Sequence, residues 1–168
     1  MIQEVRDYWN ALPCDSLRSD LKPGSLAYYE ELERLKYDLE PHIPEFANFE
    51  QWKGKRVLEI GCGIGADTSR FAKAGANITA VDLSDISIDI AQHRLETLGL
   101  EGKFYRADAE HLSLYLKPEP FDLIYSYGVI HHTPNPERVF EQLLQYCHSD
   151  TELRIMMYSK WCARTFCT

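Results

Sequence analysis

This chain has little of what marks most non-enzymatic classes. In its 168 residues there is no unbroken apolar run of about 18, so no segment reads as a membrane-spanning helix. Positive charge is scarce: 18 Lys and Arg stand against 26 Asp and Glu, for a formal net charge of −8. No basic stretch offsets the acids, which argues against a nucleic-acid-binding surface. The amino-terminal MIQEVRDYWN carries early acids and no apolar core, so a secretory signal is not expected. Cysteines are five, scattered at 14, 62, 147, 162 and 167. An odd, unpatterned set builds no disulfide framework and fits reduced thiols in a cytoplasmic protein. His42, His93, His111 and His148 lack ligand spacing, and Cys162 and Cys167 lack a second pair, so no metal site is expected. Repeats, low-complexity tracts and interdomain linkers are absent, and the length suits one sizeable core.

What is present is concentrated in RVLEIGCGIGADTSRFAKAGANITAVD, from Arg56 to Asp82. A short apolar run ends in Gly61, Gly63 and Gly65, a helical pattern follows through Ala72, and a second apolar run ends in an acid. Strand, glycine turn, helix, strand, acid is the first half of a nucleotide-binding α/β unit. Glycines free the turn for backbone angles that a side chain forbids, and leave bare backbone against which a ligand can lie. The acid closing the second strand, Asp82, is placed to accept hydrogen bonds from two ribose hydroxyls, which points to an adenosine derivative.

Further along, Ser84 reads as the N-cap of a helix to about Leu98, with Ile86, Ile90, Ala91 and Leu95 on one face. Lys103 to Arg106, Phe121 to Tyr127 and Glu152 to Tyr158 read as strands, and Pro136 to Tyr146 as a helix. Upstream, residues 1–53 look helical. Leu26, Tyr29, Leu32, Leu35 and Leu39 recur at helical spacing over Ser25 to Leu39, and Pro41 and Pro44 close that helix. The charged run Glu30 to Arg34 reads as its solvated face. Strands alternating with helices predict a Rossmann-like, doubly wound α/β fold with a mostly parallel sheet and helices on both faces.

GCGIGA admits two parses. As Gly61-x-Gly63-x-x-Ala66 it satisfies a dinucleotide fingerprint, with an NAD-binding oxidoreductase as the implied function. As Gly61-x-Gly63-x-Gly65 preceded by Glu59, it resembles motif I of the class I S-adenosylmethionine-dependent methyltransferases. Asp108-Ala109-Glu110 and FDLIYSYGVIHHTPNPERV (Phe121 to Val139) resemble that family's adenine-edge segment and fourth-strand motif, in the right order and spacing. The resemblance covers about residues 54–159. It implies S-adenosyl-L-methionine as cofactor, S-adenosyl-L-homocysteine as product and a small-molecule acceptor. It also implies a sheet order 3-2-1-4-5. The glycine loop, with Gly61, Cys62, Gly63 and Gly65, would seat the methionine part of the cofactor, and Asp82 its ribose. Leu83 and Asp108, Ala109 and Glu110 would hold adenine. Ser126 and Tyr127 would lie beside the methionine tail, and Glu59 would orient the loop or, through water, the ammonium group.

His131 is the candidate catalytic residue, since imidazole can take a proton from a hydroxyl near neutral pH, and His132 is a substrate-side candidate. Adjacent residues of an extended stretch point oppositely, so at most one should face the pocket. Residues 1–53 form a candidate lid or substrate-recognition segment, with Tyr8, Trp9, Tyr28 and Tyr29 as its features of interest. Residues 54–168 form the cofactor-binding core. The family's strands 6 and 7 have no counterpart, because Lys160 to Thr168 is too short for them. A fragment of a longer chain is therefore expected, with a cofactor-binding domain lacking turnover as the alternative function. A strand 5 exposed at Glu152–Tyr158, beside Trp161 and Phe166, should recruit a second copy to form a homodimer.

Overall fold

The computed structural model describes residues 2–14 and 16–158. Its centre is a five-stranded parallel sheet of β1 (Arg56–Ile60), β2 (Asn77–Asp82), β3 (Lys103–Arg106), β4 (Leu123–Tyr127) and β5 (Glu152–Met156) in the order β3-β2-β1-β4-β5. Every neighbouring pair is parallel, so each crossover needs a covering element. The strand expected to run to Tyr158 ends at Met156. The tail positions Trp161 and Phe166, with Cys162 and Cys167, lie outside the described residues.

Two cores sandwich the sheet, because alternate strand residues point to opposite faces. Val57, Ile78, Leu123 and Tyr125 face α4 (Ala66–Lys73), α5 (Asp85–Thr97) and the short α3 (Ile43–Ala47), packing with Phe71, Leu95 and Trp52. Leu58, Ile60, Val81 and Ile124 face α6 (Pro136–Leu143) and pack with Leu112, Val139 and Tyr146. Helices thus cover both faces, as the alternating pattern implies.

Local chemistry sets the helix ends. Ser25 caps α2 (Leu26–Leu39), its side chain accepting from the Tyr28 N–H, and Ser84 caps α5 by accepting from the Ser87 N–H. Such a cap is worth about 1 kcal/mol. Pro44 falls in the first turn of α3 instead of ending a helix, where its missing N–H costs nothing. Arg154 of β5 donates to the Phe46 and Ala47 carbonyls at 3.0 and 2.7 Å, closing the exposed end of α3 against the sheet.

Two surface readings change. The inner face of α5 is Ser87, Ile88, Ala91, Arg94 and Leu95, while Ile86 stays 42% exposed and Ile90 packs sideways against Tyr28 and Tyr29. Glu33, within the run read as solvated, pairs with Arg70, Lys73 and the fully buried Arg94. Charged residues reach the interior here because they arrive as partners.

Candidate active site

The carboxyl ends of the parallel strands open into a cavity of about 250 Å³. In an open α/β sheet that is where a ligand lies, at the point where strand order reverses between β1 and β4. Its floor is the loop after β1. Gly61 and Gly63 both adopt left-handed angles, but for different ends. A Cβ on Gly61 would come within 2.3 Å of Val129, so that glycine lets the loop after β4 approach. A Cβ on Gly63 would meet nothing within 4 Å, so its bare face looks into the cavity. Gly65 caps α4 against Ala91 of α5 and does not line the cavity.

Asp82 ties this floor together. One carboxylate oxygen accepts from the Gly63 N–H and the other from the Ser84 N–H, both at 2.8 Å. Burial pushes its pKa up from the usual carboxylate range, against the pull of these backbone donors. Asp82 lines the cavity beside Leu83, Asp108 and Ala109. Asp108 is held by the Glu110 N–H and by His111. Glu110 turns away from the cavity, accepting from the Asn135 N–H at 2.7 Å, and so fixes the loop before α6.

Behind the loop sits a buried polar cluster. Glu59 is 3% exposed and accepts from the Thr68 hydroxyl at 2.5 Å, joining β1 to the first turn of α4. Burial, with the nearby Asp67 charge, pushes its pKa up to about 8. It does not line the cavity. Asp67, also buried, accepts from Tyr37 and Tyr125 and pairs with Lys36 at 2.8 Å. Ser126 is equally enclosed, its hydroxyl donating to the Ile60 carbonyl. Cys62 lines the cavity as a buried thiol, its pKa driven up by desolvation.

On the wall after β4 the two histidines part company. Residues Ile130–His132 form a 3-10 turn instead of an extended stretch, so the rings stack with centroids 4.0 Å apart. His132 lines the cavity, whereas His131 lies outside it against Tyr158. Neither His131 ring nitrogen has a hydrogen-bond partner among the described residues, and burial lowers both pKa values. The candidate base thereby shifts to His132.

The amino-terminal helix α1 (Ile2–Ala11) forms the opposite wall with Ile2, Val5 and Trp9. Asn10 accepts from the Ser84 hydroxyl at 2.7 Å, Arg6 pairs with Asp85, and the Trp9 ring meets His132 edge-on at 5.8 Å. Tyr8 is 46% exposed and stays outside. Tyr28 and Tyr29 belong to a core cluster with Leu32 and Ile64, their hydroxyls bonded to Ser16 and His93. Among the cavity residues that sequence reasoning missed are Lys36 of α2 and Glu40, its C-cap. Their four-residue spacing was the available signal, but surface helices carry such pairs routinely. No group of three or more potential metal ligands occurs among the described residues.

Known proteins agree with this geometry. A family model described as a methyltransferase domain matches residues 57–150. A ubiquinone biosynthesis O-methyltransferase of Coxiella burnetii (strain Dugway 5J108-111) is 36% identical over 89 residues, 53% of this chain and 37% of the relative. One from Pseudomonas syringae pv. tomato is 34% identical over 107 residues, 63% of this chain and 42% of its own length. The chain therefore aligns with well under half of these curated relatives. Among solved structures, magnesium protoporphyrin IX methyltransferase from Synechocystis PCC 6803 with bound SAM has a TM-score of 0.64 at 21% identity, over 87% of this chain and 71% of that one. A [4+2]-cyclase gives 0.66 at 19%, over 97% and 64%, a likeness of fold alone. A family model that spans more than half its length takes in the glycine loop and the acid-ended second strand, and the chain belongs to the methyltransferase-domain family.

Proposed function

We propose that this protein transfers a methyl group from S-adenosylmethionine to a small-molecule acceptor. The observation that carries the reading is the pairing of Gly63 with Asp82. The bare glycine face opens onto the cavity, and the carboxylate beside it is already oriented by backbone donors with lone pairs to spare. A ribose needs such an acceptor, and an adenine needs the apolar walls that Leu83 and Ala109 supply. The bound cofactor would supply an activated methyl group on sulfur, so the chain's own task is alignment and exclusion of water. Trp9, Ile2 and Val5 close the cavity on one side for that purpose. His132, kept neutral by burial, can accept a proton from an acceptor hydroxyl. The O-methyltransferase names of the relatives favour oxygen as the acceptor atom. The free thiols of Cys62 and Cys147 favour a cytoplasmic setting, and no helix among the described residues is long and apolar enough to cross a membrane.

Calorimetric titration with S-adenosylmethionine, S-adenosylhomocysteine and NAD tests the binding step. Both adenosyl ligands should bind and NAD should not, and comparable NAD affinity defeats the reading. Asp82→Ala, with folding checked by circular dichroism, should weaken adenosyl binding roughly ten- to hundredfold, the range for a lost hydrogen bond to a charged acceptor. Labelled methyl transfer to a panel of hydroxylated metabolites then tests turnover. Binding without transfer would leave a cofactor-binding unit.

A further inference from the structure

Three carboxyl groups flank the glycine loop: Glu59 on β1 and Asp67 in the first turn of α4, both buried, and Asp82 at the end of β2. We infer that Glu59 is a proton-linked charge sensor, neutral while the cavity is empty or holds the thioether product and ionised while it holds the sulfonium cofactor. The inference rests on the cofactor reading above and adds to it a means of telling cofactor from product.

The three groups have unequal partners. Asp67 pairs with the Lys36 ammonium at 2.8 Å and accepts from the Tyr37 and Tyr125 hydroxyls at 2.9 and 3.0 Å. Asp82 accepts from the Gly63 and Ser84 N–H groups, both at 2.8 Å. Glu59 accepts from one neutral hydroxyl, that of Thr68 at 2.5 Å, and forms no ion pair among the described residues. A buried carboxylate without a cation takes up a proton instead, and Glu59 is the least compensated of the three. Burial first, then the Asp67 and Asp82 charges, holds its pKa up to about 8, against the opposing pull of Thr68 and Lys36.

Glu59 does not line the cavity, yet its charge reaches the lining. Asp82 and Glu59 act on one another, and Glu59 joins burial and Asp82 in driving the Cys62 thiol up. Tyr125, its register partner on β4, is likewise held up by burial and the Asp67 and Glu59 charges. S-adenosylmethionine and S-adenosylhomocysteine share adenine, ribose and amino-acid groups, and differ by one methyl and the positive charge on sulfur. A fixed positive charge in the cavity favours the ionised carboxyl, so Glu59 gives up its proton when the sulfonium binds. In the transfer the methyl C–S bond breaks, a bond from that carbon to the acceptor oxygen forms, and the acceptor's hydroxyl proton goes to His132. Sulfur is left as a neutral thioether, and Glu59 regains one proton from water. The product then faces a neutral Glu59 and lacks the attraction that held the cofactor.

Calorimetric titration of the full chain at pH 7, in two buffers of different ionisation enthalpy, counts the protons exchanged on binding. S-adenosylmethionine should release roughly half a proton or more beyond its release from Glu59→Gln, and S-adenosylhomocysteine close to none beyond it. The variant keeps an acceptor for Thr68 and subtracts the protons exchanged by the ligand's own amine. Measured against Glu59→Gln, the parent's preference for S-adenosylmethionine over S-adenosylhomocysteine should grow as pH climbs to about 8 and then level off. That growth should not exceed about tenfold per pH unit, the limit for one proton. Should Glu59→Gln fail to fold, infrared difference spectra of the parent read the same event. S-adenosylmethionine should remove a protonated-carboxyl band that S-adenosylhomocysteine leaves in place. Equal subtracted proton counts for the two ligands, or a band that both treat alike, overturn the inference and leave the cofactor reading intact. A parent chain that binds neither ligand rejects both.

Discussion

A side chain at Gly63 would enter open space, while one at Gly61 would strike Val129, so the two positions separate ligand from fold. Gly63→Val should abolish cofactor binding and lower stability only by the strain of its left-handed backbone, roughly 1–2 kcal/mol. Denaturant unfolding with parallel binding measurements checks this, and global unfolding of the variant would assign the glycine to the fold instead. Glu59 makes a prediction of opposite kind, about fold without ligand. Its folded pKa, pushed up to about 8, lies above the ordinary carboxylic value, so the native state holds a proton that the unfolded chain has released. Its contribution is complete at acid pH and is lost as pH rises through about 8. Glu59→Gln keeps an acceptor for Thr68 and should remove that decline, which cannot exceed about 1.4 kcal/mol per pH unit for one proton. Urea unfolding of both proteins from pH 6 to 9 reads the difference; parallel curves would show that Glu59 stays ionised in the fold. At this scale the sequence was half legible. Gly61, Gly63 and Asp82 announce themselves because backbone angle and strand-end position tie residue type to role. Asp67 and Arg94 do not, because a charge is buried only when a distant partner arrives, and pairs such as Arg94 with Glu33 join separate helices.

Elements were legible where their ends carry chemistry. Ser25 and Ser84 marked two helix starts, the alternation of short apolar runs with helical ones marked the parallel sense of the sheet, and the family resemblance implied its strand order. The 3-10 turns at Ala109–Leu114 and Ile130–His132 were not, and these decide that Glu110 and His131 leave the cavity. Helix α1 is the least anchored element. It buries no residue completely and is held by Arg6 to Asp85, which also pairs with Arg106, and by Asn10 to Ser84. Such an element opens at low cost compared with the core. Asp85→Asn should therefore hasten trypsin cleavage after Arg6 while the unfolding midpoint of the core barely moves, since exposed ion pairs contribute little. S-adenosylmethionine should slow the same cleavage, because Ile2, Val5 and Trp9 share the cavity wall. An unchanged cleavage rate in the variant would mean that apolar contacts, and not the Arg6 pair, seat the helix.

At the level of the whole molecule the sheet has two unequal edges. β3 is four residues long with Lys103 and Arg106 at its ends, and a short, charged strand discourages pairing. β5 is longer, bears Leu153 at 45% exposure and is followed by Met157 at 47%. Among the described residues it pairs only with β4. We expect a second copy to pair along β5 about a two-fold axis, the commonest closed symmetry. Such an axis runs the two β5 strands antiparallel and makes one continuous sheet with the two cavities at opposite edges. Light scattering behind size-exclusion chromatography at low micromolar concentration should then give twice the 19.5 kDa chain mass. Leu153→Lys, whose side chain is already half in solvent, should return the monomer without unfolding it, because edge lysines oppose strand pairing. A monomer for the parent chain, with β5 amides protected from hydrogen exchange, would show instead that the chain covers this edge itself.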